Sequence, residues 1–208
     1  MLRIIAGKAK GLNLQVPTGG GTRPMDSRAR GALFNILQTA VPDARILDLY
    51  AGSGSLGLEA LSRGAAGCVF VDRDRRAARV LGSNLAAARL DGGEVLSMPV
   101  GAALKTLASR GRSFDLIFFD PPFRDEREDS SRRTVIDELA AAGRLLAPEG
   151  LLIWRLECRN FHPEELPPGL EVTDRREYGR SLLIILRPGP GPSPAEAAPQ
   201  ASPEEPGP

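Results

Sequence analysis

Aromatic residues make up only 5% of this 208-residue chain, which carries a single histidine and two cysteines. Catalysis built on a histidine triad therefore has little to draw on: His162 stands alone between Phe161 and Pro163 in what reads as a loop. Cys68 and Cys158 fall in separate apolar segments with no second cysteine or histidine at ligand spacing, so neither a disulfide framework nor a zinc knuckle is indicated. Both are expected to be small core residues, and no metal is expected. No apolar run approaches the roughly 18 to 20 residues of a membrane span, and the N-terminal region lacks the apolar stretch of a signal peptide. The reading is a cytoplasmic, unanchored protein with no membrane partner. What the chain does have is an apolar fraction of 42%, enough for one globular domain with a proper core, and 27 basic against 26 acidic residues.

That charge balance is uneven. The last 21 residues carry Glu196, Glu204 and Glu205 and no base, whereas residues 1–40 hold Arg3, Lys8, Lys10, Arg23, Arg28 and Arg30 against Asp26 alone. A basic N-terminal segment suits a phosphate-rich partner. The tail from Pro188, built of Pro, Gly, Ala, Ser, Glu and one Gln, has no large apolar residue to offset its ordering entropy and is expected to be disordered.

Leu2–Ala6 and Leu12–Val16 flank a turn-prone Gly7–Gly11 stretch, which predicts a β-hairpin with its lysines at the turn. Ala29, Ala32, Leu33, Ile36 and Leu37 then recur at helical spacing after an Asp26 or Ser27 cap. From Arg45 strands and helices alternate. Strands are expected at Ile46–Leu49, Gly67–Val71, Glu94–Ser97, Leu116–Phe119 and Leu151–Leu156, with helices near 56–63, 75–89, 101–110 and 131–145. Crossovers of that length specify a mainly parallel sheet wrapped by helices, an α/β Rossmann-like fold. The rhythm ends in two strands, Leu170–Glu177 and Ser181–Arg187, at hairpin spacing and hence antiparallel.

Two motifs carry chemistry. Asp48-Leu49-Tyr50-Ala51-Gly52-Ser53-Gly54-Ser55-Leu56-Gly57 is a glycine-rich strand-to-helix turn in which Gly52, Gly54 and Gly57 match GxGxxG, a pattern that brings backbone close to a ligand at a helix N-terminus. Asp72, followed by Arg73, ends the next strand, where a carboxylate suits a ribose diol. A dinucleotide would place its pyrophosphate near Asp48, and the two would repel. S-adenosylmethionine has no phosphate and carries an ammonium and a sulfonium, so charge favours the methyl donor. The second motif, Asp120-Pro121-Pro122-Phe123, follows the fourth strand and should face the same crevice. The Asp120 carboxylate and the Pro121 carbonyl can hold the hydrogens of an exocyclic base amine, the prolines preorganise them, and Phe123 offers a ring for a flipped base.

Asp120 to Phe123 resembles the (Asn/Asp)-Pro-Pro-(Tyr/Phe) motif of amino-methyltransferases. With Arg3-Ile4-Ile5-Ala6-Gly7, Arg23-Pro24, Leu33-Phe34-Asn35-Ile36-Leu37, Ala51-Gly52-Ser53-Gly54 and Leu58-Glu59-Ala60-Leu61-Ser62-Arg63-Gly64-Ala65 in that order, the chain over roughly residues 2–187 resembles the bacterial small-subunit rRNA guanine-N2 methyltransferases of the RsmD type. The resemblance implies a class I methyltransferase fold, a seven-stranded sheet closed by an antiparallel hairpin, and methyl transfer to a guanine N2 of 16S rRNA, placed by the family at nucleotide 966. S-adenosyl-L-methionine is the implied donor, S-adenosyl-L-homocysteine the product, and rRNA or an assembling small subunit the partner of a monomer. Met25, Ser27, Gly31 and Asp72 depart from the family pattern, and Ser97–Val100 offers no carboxylate or amide to an adenine amine. The organisation expected is a basic RNA-binding extension over 1–44, a methyltransferase domain over 45–187 and a tail over 188–208. Two alternatives stay open here: another RNA or DNA base amine as acceptor, or a nicotinamide-dependent oxidoreductase, which GxGxxG and Asp72 alone allow.

Overall fold

In the computed structural model of the chain, which describes residues 2–17, 25–122 and 129–189, seven strands form one sheet in the order β3-β2-β1-β4-β5-β7-β6. The strands are β1 (Arg45–Leu49), β2 (Gly67–Val71), β3 (Gly93–Leu96), β4 (Phe114–Phe119), β5 (Leu146–Glu157), β6 (Leu170–Tyr178) and β7 (Ser181–Pro188). The first five run parallel, and β7 enters antiparallel between β5 and β6. The helices are α1 (Ser27–Ile36), α2 (Ser55–Ser62), α3 (Arg75–Ala88), α4 (Val100–Ser109) and α5 (Asp129–Gly143).

Alternate strand residues serve the two faces, and both are covered, which is why the central strands read as continuous apolar runs. Ile46, Phe70, Phe118 and Ile153 meet α1, α2, α3 and the N-terminal arm on one side. Leu47, Val69, Ile117, Phe119 and Trp154 meet α4 and α5 on the other. The expected elements are present with ends shifted by a few residues; β5 begins five residues early, and Pro188 closes β7 opposite Leu170 instead of opening a tail. Residues 190–208 lie outside the described residues.

Three local expectations are corrected. The N-terminal turn-back is pinned by a single antiparallel bridge, Arg3 to Asn13, with Ile4 N–H donating to the Leu12 carbonyl and Leu14 N–H to that of Leu2. It forms no extended strands because Glu59 and Ser62 of α2 take hydrogen bonds from its backbone: Ile5 and Ala6 N–H donate to Glu59 at 2.7 and 3.0 Å, and Ala9 N–H to Ser62 Oγ at 2.9 Å. In α1, capped by Asp26, the buried face is Ala29, Arg30, Leu33 and Phe34, while Ile36 turns outward. Cys68 is buried as expected, but Cys158 is only half-buried, because it starts a short turn beyond the end of β5.

Candidate active site

The carboxyl ends of β1, β2 and β4 open into a cavity of about 450 Å³, walled by Asp48, Ala51, Gly52, Ser53, Asp72, Arg73, Asp120 and Pro122 among others. Both sequence motifs therefore meet in one crevice. The glycine turn is pulled into shape by carboxylates. Asp72 accepts the Gly52 N–H through Oδ2 and the Asp74 N–H through Oδ1, each at 2.8 Å. Asp48 accepts the Gly57 N–H at 3.0 Å from beneath the turn. Gly54 takes a left-handed φ of 77° as the N-cap of α2.

Gly57 does not touch the cavity. A methyl group there would overlap the Phe70 ring and stand 2.5 Å from Cys68 Sγ, so the third glycine lets α2 lie close on β2. Asp48 is 2% exposed, and burial drives its carboxyl well above the ordinary carboxylate range, with Asp120 and Asp72 adding to the effect. The acid expected beside a cationic donor is thus a dehydrated carboxyl in the cavity wall.

Asp120 meets a partner that sequence reasoning missed. Arg155 of β5, itself 7% exposed, donates from Nε to Asp120 Oδ1 at 2.6 Å. Burial raises the Asp120 carboxyl, and the Arg155 charge and hydrogen bond oppose that rise. The signal was a lone arginine near the carboxyl end of an apolar strand. Also missed was Glu138 of α5, a cavity-lining residue that accepts the Gly101 N–H of α4 at 2.8 Å and the Tyr50 hydroxyl. Asn84 of α3 exchanges both hydrogen bonds with the Gln15 peptide and donates to the Ser53 carbonyl at 3.0 Å. That amide ties the N-terminal arm to the glycine turn and brings Val16 and Pro17 to the cavity wall. Pro99 and Val100 line it after β3 with no polar side chain. Phe123 and Arg23 lie outside the described residues.

The basic residues divide. Arg3 and Arg28 are exposed, the latter in the first turn of α1, three residues after the cavity-lining Met25. Lys8 and Lys10 are exposed too, but the Lys8 N–H donates to the Ser62 carbonyl at the far end of α2. An eight-residue helix spans about 12 Å, so that turn is well removed from the glycine turn. Arg30 cannot meet a phosphate: it is fully buried, donates to the Arg3 carbonyl and lies 4.0 Å from Glu59. It docks the arm instead.

Residues 2–187 match the family described as Conserved hypothetical protein 95. Ribosomal RNA small subunit methyltransferase D of Escherichia coli K12 is 43% identical over 123 residues, an alignment that covers 59% of this chain and 61% of that protein, less than two thirds of its length. The Bacillus subtilis protein YlbH, whose name assigns it provisionally to the rRNA methyltransferases, is 35% identical over 187 residues, covering 89% of this chain and 98% of its own. The solved structure of Escherichia coli yhhF, provisionally named a methyltransferase, superimposes with a TM-score of 0.73 at 35% identity over 89% of this chain and 97% of that one. The fold is that of class I S-adenosylmethionine-dependent methyltransferases.

Proposed function

This chain belongs to the Conserved hypothetical protein 95 family, and from that premise we propose that it methylates the exocyclic N2 of a guanine in 16S rRNA, the nucleotide being the 966 position. The observation that carries the reading is the convergence of the glycine turn, the acids Asp48 and Asp72, and Asp120 and Pro122 on one cleft. The bound donor supplies a methyl group made electrophilic by its sulfonium. The residues fit that molecule: the volume falls in the range of small-molecule sites, and the acidic lining suits its cationic groups. Each Asp72 oxygen, although engaged by one backbone N–H, keeps a lone pair for a ribose hydroxyl. Pro99 and Val100 give adenine an apolar wall.

On the acceptor side, the second oxygen of Asp120 and the Pro121 carbonyl hold the amine hydrogens and turn the nitrogen lone pair toward the methyl group, while Phe123 stacks on the base. Alignment and exclusion of water supply most of the rate, and the transfer needs no metal. Residues 1–44 serve as the RNA-contacting extension, with Arg3, Arg23 and Arg28 as its phosphate contacts, residues 45–189 carry out the transfer, and residues 190–208 take no part. The protein acts as a cytoplasmic monomer on rRNA or an assembling small subunit; among the described residues no helix is long and apolar enough to cross a membrane.

The test is incubation with labelled donor and naked 16S rRNA, small-subunit particles or DNA, followed by digestion to nucleosides. Label in N2-methylguanosine from either RNA substrate is expected. Label in a methyladenine, or none with any substrate, would overturn the reading.

A further inference from the structure

We propose that Arg155 is a positioning residue for this reaction: it grips Asp120 by one carboxylate oxygen and so presents the other to the acceptor amine. The inference rests on the role given to Asp120 above. Phe119 of β4 pairs with Trp154 of β5, so Asp120 and Arg155 are the next residues on two parallel neighbours, both at the cavity wall. The contact is end-on, from Nε to Oδ1 at 2.6 Å. Among the described residues, no group donates to Asp120 Oδ2.

A guanidinium buried in a sheet is costly to desolvate, and a leucine would extend the apolar run around it at no such cost. Apolar packing alone does not call for an arginine here, and the contact with Asp120 gives the charge a use. Asp120 shares the cleft with Asp48 from β1, Asp72 and Asp74 beyond β2, and Glu138 from α5; Arg73 beyond β2 and Tyr50 after β1 complete the titratable lining among the described residues. Dehydration favours a protonated carboxyl, which would turn a hydroxyl toward the amine it must accept from. Arg155 counters that influence through its charge and its hydrogen bond, and it anchors Oδ1.

The experiment pairs carboxyl NMR on aspartate-labelled protein, without donor or RNA, with pH–rate profiles for Arg155→Gln and Arg155→Lys. In Arg155→Gln the Asp120 titration and the acid limb of methylation are expected to move up together by about one pH unit or more, the size of shift an adjacent opposite charge produces. Turnover on the acid limb should fall by about tenfold and recover in part as pH rises. Arg155→Lys keeps the charge but not the planar grip, and should restore the acid limb while leaving turnover low at every pH. An unmoved Asp120 titration in a folded Arg155→Gln protein would overturn the inference, whatever happens to activity. A wild type that methylates no rRNA would overturn the functional reading instead, and the NMR titration separates the two failures.

Discussion

Asp48 shows how a residue's burial can reverse the role its charge suggests. In the free protein dehydration favours the neutral carboxyl, whereas a cationic donor in the cleft favours the anion. Donor binding should therefore release protons, and affinity should rise with pH until Asp48 ionises unaided. Calorimetry in buffers of different ionisation enthalpy is expected to show this release for S-adenosylmethionine and less of it for S-adenosylhomocysteine, whose sulfur is uncharged. The same shift acts on stability. Because the folded-state value lies above the unfolded one, the unfolded chain binds fewer protons above about pH 4, and Asp48 lowers stability progressively as pH rises toward its folded value. Asp48→Asn should melt higher at neutral pH while binding the donor roughly tenfold more weakly, the loss of one charge-assisted contact. Asp120→Ala, in contrast, should lower turnover by about a hundredfold, as removal of a preorganised polar group does elsewhere, with donor affinity little changed.

At the level of elements, the glycine pattern splits into a part that shapes the turn and a part that packs a helix. Gly57→Ala is expected to lower stability by about 1–3 kcal/mol through overpacking against Phe70 and Cys68, with the melting temperature reporting the loss and donor affinity following only as the turn shifts. Parallel strands and their crossovers were legible because sheet residues covered on both faces are apolar without interruption, and because Pro-Pro and Gly-rich turns mark strand ends. The arm was harder to read. Its hydrogen bonds go to Glu59, Ser62 and Asn84, side chains more than 50 positions away, and no local pattern announces such pairing. Arg30 and Arg155 were obscured for a related reason: a buried charge is identified by its partner, and Glu59 and Asp120 come from other elements. The motifs Arg3–Gly7 and Leu58–Ala65 that carry the family resemblance prove to be two sides of one contact, through Glu59 and Ser62.

For the whole molecule, the separation of the Lys8–Lys10 turn from the cleft ranks the basic residues. Neutralising Arg28 should flatten the salt dependence of RNA binding by roughly 0.7–0.9 log units and raise the rRNA concentration needed for turnover. The Lys8 and Lys10 replacements should weaken binding alone and leave turnover at saturating rRNA unchanged. Filter binding across a salt series with parallel methylation rates checks both. Deleting residues 190–208 should change neither the melting temperature nor the rate. The place of β7 in the sheet also bears on how the chain is made. A polypeptide leaves the ribosome N-terminus first, so β6 is synthesised before β7, the one strand it pairs with. Until β7 arrives, β5 ends the sheet with an open apolar edge bounded by Leu152, Ile153 and Trp154. The waiting β6 is protected by its own sequence, in which Glu171, Asp174, Arg175, Arg176 and Glu177 discourage pairing with strangers, while Leu182–Leu186 arrives last and closes the gap. A nascent chain stalled near Gly179 would hold a finished cleft above an unfinished sheet, and edge-to-edge association would compete with completion of the fold.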